Sequence, residues 1–134
     1  MEEYVYIIIC PLAFCVLDIV TGYVAAMRNG TLNSSVMRNG LWSKSAEVLA
    51  VLVSIFVQFG IKIYGASFLN VELDIPIITA ICAYISLYEL TSIVENIGKM
   101  NQAIGEKLIE LFGIDPAKVG LVRITETETD KEVE

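Results

Sequence analysis

Asp18 and Glu89 stand well inside long apolar stretches. Asp18 lies within YVYIIICPLAFCVLDIVTGYVAAM and Glu89 within PIITAICAYISLYELTSIVENI. A carboxylate at bilayer depth costs about 2.5–3.5 kcal/mol even on the gentlest insertion scales, so it must face another helix, water or a cation. Such a group can relay a proton, hold a partner helix or line a wet opening. Gly22 follows Asp18 at i+4, and a small residue there lets a second helix come close. The plainer reading makes Asp18 a structural residue, protonated or hydrogen-bonded to Thr21. Around Glu89, the residues Thr79, Cys82, Ser86, Asn96 and either Ser92 or Ile93 fall at steps of three and four, which is one helix face. Ile78, Ile81 and Ile85 are expected on the opposite side. Asp18, Gly22, Ser86, Glu89 and Asn96 are therefore the candidate seam, either within a three-helix bundle or between subunits.

Other chemistries find few tools. The chain has no histidine, so the commonest general base and metal ligand is missing. Its three cysteines, Cys10, Cys15 and Cys82, form no CxxC pair and no zinc spacing. They read as small buried hydrophobes in a reducing compartment. No catalytic, cofactor-binding or metal-ligating residue is nominated, and an enzyme is not expected. A formal charge of −7, from 9 Lys+Arg against 16 Asp+Glu, argues against a nucleic-acid partner, which needs a basic footprint.

The elements that must position the seam are membrane spans. Of 134 residues, 55% are hydrophobic and 19% charged. A soluble domain runs nearer 45–50% apolar and about 25% charged, and so small a globule cannot hide such an excess. Three apolar runs are long enough to cross a bilayer, at residues 4–27, 45–64 and 76–97. Glu2 and Glu3 precede the first, where a signal peptide needs positive charge. Pro11 is expected either to kink that helix or to sit in its first turn. The second holds eleven Val, Leu, Ile and Phe residues, together contributing about −3 to −7 kcal/mol of insertion energy. The third is the most polar and the most marginal. Pro76 is expected at its first helical position.

Between the first two spans, Asn29-Gly30 and Asn39-Gly40 are turn signals. Arg28, Arg38, Trp42 and Lys44 are the candidate interface anchors of this polar connector. After the third span, residues 99–121 form an amphipathic juxtamembrane segment, with Ile104, Leu108, Leu111 and Phe112 expected on one face. Residues 122–134 are acidic and expected to be disordered. The fold class is thus an all-α membrane protein, with a transmembrane domain at 1–98. The cations cluster in the connector and just after the third span, which predicts an external N-terminus and a cytoplasmic C-terminus.

The stretch LDIVTGYVAAMRNGTLNSSVMRNGLWSK, Leu17 to Lys44, resembles the signature of the toxin-secretion/phage-lysis holin family. The family's marks fall at Asp18, Thr21-Gly22, Gly30, Leu32, Ser34, Gly40 and Lys44. The third span is similar to the family's Glu-Leu-x-Ser-x-x-Glu-Asn run at Glu89, Leu90, Ser92, Glu95 and Asn96. The likeness covers roughly residues 18–101, and departs in the acidic tail, since family tails are often basic. It implies a phage holin that accumulates in the host cytoplasmic membrane, self-associates and opens lesions. Through these an endolysin, or for some relatives a toxin, passes. The functional partnership with endolysin does not require direct binding. Two other classes remain open: a small proton-coupled transporter using Asp18 or Glu89, and a non-pore antiholin or accessory subunit.

Overall fold

The computed structural model describes residues 2–69 and 75–116. Four α-helices follow one another: α1 (Glu2–Arg28), α2 (Ser34–Tyr64), α3 (Ile77–Met100) and α4 (Gln102–Phe112). A π-helical turn, Gly65–Leu69, continues α2. No strand occurs among the described residues. The first three helices are long and apolar enough to cross a membrane. The expected acidic tail at 122–134, and the part of the juxtamembrane segment beyond 116, lie outside the described residues.

The helices pack as two units, Met1–Val16 with Asn33–Leu87 and Leu17–Leu32 with Tyr88–Glu134. In the first, Cys15, Val51, Ile78, Cys82 and Ile85 form a buried core, with Ile7, Ile8, Ile55 and Ile81 against it. Pro11 is wholly buried in mid-helix rather than in the first turn. Its ring nitrogen has no hydrogen to give the Ile7 carbonyl. The Cys15 thiol donates to Glu47 Oε2 at 3.2 Å, and these two residues lie equally far on either side of Thr31. Gln58 and Ile78, also in contact, lie equally far from Phe68. Here α2 is thus antiparallel to both α1 and α3, which run parallel to each other.

Gln58 has a definite task. The helix α3 opens with Ala80 N–H donating to Pro76 O at 3.0 Å, so Pro76 occupies the cap, one place before the expected first helical position. A proline side chain cannot accept from the first-turn amides. Gln58 Oε1 does so from α2, taking the Ile78 N–H at 2.8 Å. In lipid no water replaces that acceptor. Gln58→Leu should therefore cost about 1–3 kcal/mol and lower the thermal unfolding midpoint of the detergent-solubilised protein. An unchanged midpoint would remove the cap from the account.

In the second unit, Val94 and Ile109 are buried together, with Leu90, Leu108 and Ile114 around them. Asn101 separates α3 from α4 and caps α4, its Oδ1 accepting from Ile104 N at 3.3 Å. Gly113, at φ 62°, closes α4 in the left-handed conformation, with Ile114 N–H reaching back to Ile109 O at 3.1 Å. The apolar face expected from the periodicity is not the edge that docks. Gly105 and Ile109 are the buried positions, whereas Ile104, Leu111 and Phe112 are exposed. Docking on α3 selects the Gly105–Ile109 edge of a broad apolar arc, not its middle.

The connector is shorter than expected. Only Asn29–Asn33 interrupts the helices, with Gly30 at φ 64° and Thr31 N–H returning to Ala26 O. Asn39-Gly40 is no turn. It lies inside α2, which Asn33 starts by accepting from Ser35 N at 2.9 Å. Helix closes the backbone hydrogen bonds of residues 34–44 internally, and at a membrane boundary that outweighs the local preference of Asn-Gly for a turn.

Candidate functional site

In the second unit three candidate residues meet. Asn96 Nδ2 donates to Asp18 Oδ1 at 3.0 Å and lies 3.4 Å from Thr21 Oγ1. Thr21 Oγ1 donates to the Asp18 main-chain carbonyl at 3.1 Å, so its tie to Asp18 is through the backbone. A Cβ built on Gly22 would stand 3.3 Å from Asn96 Nδ2. The glycine is what lets the amide reach the carboxylate: α1 supplies the acceptor and the gap, and α3 supplies the donor. The sequence nominated each of these residues but not their pairing.

Glu89 has no exposed surface. It shares its α3 face with Ile78, Cys82, Ile85 and Ile93, all buried, and this corrects the expectation that Ile78 and Ile85 lie opposite. They stand eleven and four residues before Glu89, which is the same side of a helix. Thr79 is exposed, and the outward face carries Tyr84, Leu87 and Tyr88. Ser86 is half-buried in the first unit. Its hydroxyl donates to Cys82 O at 2.8 Å and lies 3.9 Å from Cys10 Sγ. The five candidates therefore do not form one patch. Asp18, Gly22 and Asn96 meet, while Ser86 and Glu89 occupy other positions along α3.

Sequence reading missed Glu47. It lies between two partners, taking the Cys15 thiol on one oxygen and Lys44 Nζ at 3.8 Å on the other, with both charged side chains mostly covered. The i,i+3 spacing of Lys44 and Glu47 was the available signal. Arg28, Arg38 and Trp42 are exposed, Trp42 at 71%.

Large apolar residues cover the outside. Only 11% of the most apolar stretch of α1 and of α2 is buried, against 33% for α3. Val53, Phe56, Phe59 and Ile63 on α2 are all more than half exposed. Such a surface is incompatible with water and needs lipid or other helices. Residues 1–114 match the bacteriophage holin family. The chain belongs to that family. This holin-family protein is thus a membrane protein whose three long helices are its spans. No curated protein and no solved structure matches it.

Proposed function

We propose that this chain is a phage holin that self-associates in the bacterial cytoplasmic membrane and opens timed lesions. These lesions release an endolysin, or a toxin, a partnership that does not require direct binding of the cargo. The observation that carries the reading is the family match over residues 1–114, joined to three spans that leave most of their apolar surface unpartnered. An unpartnered surface of this extent suits a protein that packs against copies of itself. Glu89, buried, and Asp18, Gly22, Ser86 and Asn96, half-buried in the monomer, form the set that the assembly turns toward water. Solvating such groups relieves a few kcal/mol per subunit. Summed over many subunits, that gain makes opening abrupt. No catalytic or cofactor chemistry is required.

Induced expression with and without a co-expressed endolysin tests the proposal. Turbidity should fall only when both are present, and the membrane potential should collapse. Changed solute resistance without leakage would instead point to a proton-coupled transporter. A membrane that stays sealed would point to an accessory subunit.

The orientation belongs to the same proposal. Arg28, Arg38 and Lys44 place the α1–α2 connector in the cytoplasm by the cation rule, with Trp42 at the interface. The N-terminus is then external. In a chain lacking Cys10, Cys15 and Cys82, an impermeant thiol reagent should label Glu2→Cys in sealed cells and spare Glu128→Cys. Labelling at 128 would reverse the topology.

A further inference from the structure

The helix α4 uses only part of its apolar surface. Ile109 and Gly105 are buried, with Leu108 beside them, against Val94 and Leu90 of α3. The adjoining stripe of Ile104, Leu111 and Phe112 is 49%, 74% and 48% exposed. These positions fall at i, i+7 and i+8, so they share one side. On the far side Gln102 Nε2 donates to Glu106 Oε1 at 3.0 Å, with Glu110 also exposed.

We propose that α4 is an interfacial helix whose Ile104–Leu111–Phe112 stripe is covered by the acyl boundary of the bilayer. Position along the chain decides the occupant. The span α3 ends at Met100 and α4 begins at Gln102, after the single cap residue Asn101. The 24 residues of α3 extend about 36 Å, more than the roughly 30 Å of a hydrocarbon core. Its last turn carries Lys99, half exposed and 2.7 Å from Glu95, a charge that belongs in the headgroup layer, so α4 must start there. Eleven residues are too few to cross a membrane and too few to be a stable helix alone in water. Docking on Val94 fixes the rotation of α4 about its axis. That leaves the stripe and the Glu106–Glu110 edge on different sides, as a helix in the interface plane requires. The stripe carries no charge, so the contact is with apolar chain and not with anionic headgroups. It depends on the membrane placement of α3 and not on lesion formation.

Single-tryptophan variants of the full chain in phosphatidylcholine vesicles test this. In a Trp42→Phe background, Leu111→Trp and Phe112→Trp should emit at blue-shifted wavelength. They should be quenched by lipids brominated near the carbonyl end of the acyl chain, and shielded from aqueous acrylamide. Glu106→Trp should show the reverse. Acrylamide access at both 111 and 112 would overturn the proposal, because the stripe would face water. Shielding from both quenchers would also overturn it, because a second copy would then cover the stripe.

Discussion

Glu89→Leu should accumulate in the membrane at the parent level and fail to lyse. The residue is completely buried in α3. A buried ion carries a desolvation penalty of several kcal/mol, and a leucine of similar volume does not. The packed form should therefore survive the change. The opened form loses the gain of solvating a carboxylate. Each 1.4 kcal/mol lost is about a tenfold shift against opening, repeated in every subunit. Glu89→Gln should retain part of the activity, since an amide still prefers water to hydrocarbon. Turbidity after co-expression with endolysin is the measurement. Lysis by Glu89→Leu on the parent schedule would take Glu89 out of the mechanism.

The second large effect should have the opposite sign. Asn96→Ala removes the donor that reaches Asp18 Oδ1 at 3.0 Å. Withdrawing a partner from a fully buried group costs about 1–3 kcal/mol, and from the half-buried Asp18 a part of that. Gly22→Val reaches the same contact from α1, since even a Cβ there stands 3.3 Å from the amide nitrogen. Both variants weaken the closed form and should advance the onset of lysis at matched membrane amounts. Asp18→Asn should move the onset least, because its side-chain oxygen still accepts from Asn96. Onset times that match the parent for both Asn96→Ala and Gly22→Val would leave the contact a packing detail.

The contrast between these sites shows what the sequence can and cannot disclose. The three spans were legible because each apolar run reaches the length a bilayer needs. The Asn29-Gly30 turn was legible because a positive φ at Gly30 is a local demand. The start of α2 was not, since Asn39-Gly40 presents the same dipeptide and only the surrounding helix decides its conformation. On α3 the polar residues were sorted by type, which set Ile78 and Ile85 apart from Glu89. Packing sorts by angle, and places all three on one buried face. Asp18 and Asn96 were each singled out, yet their meeting depends on α1 and α3 running side by side across 78 positions of sequence. Gln58 was invisible for the same reason: its acceptor is needed only where α2 passes the proline-opened start of α3.

The length of α2 carries a mechanical consequence. Its 31 residues span about 46 Å, while a typical hydrocarbon core is roughly 30 Å thick and helices seldom tilt beyond about 40°. Even at that tilt about 26 residues fill the core, so about five must protrude. The apolar end of α2, with Phe59 and Ile63 exposed, gains by staying in lipid. The overhang is then taken up at the Ser34–Lys44 end, whose residues up to Ser43 are exposed on every side. A thicker bilayer draws this end inward and a thinner one expels it. With Trp42 and Arg38 as the proposed interface anchors, the same end of α2 carries Glu47 and its contacts to Lys44 and Cys15. Hydrophobic mismatch is thereby coupled to the packing of α1 against α2. The thickness of the membrane becomes a variable that the helix pair can sense.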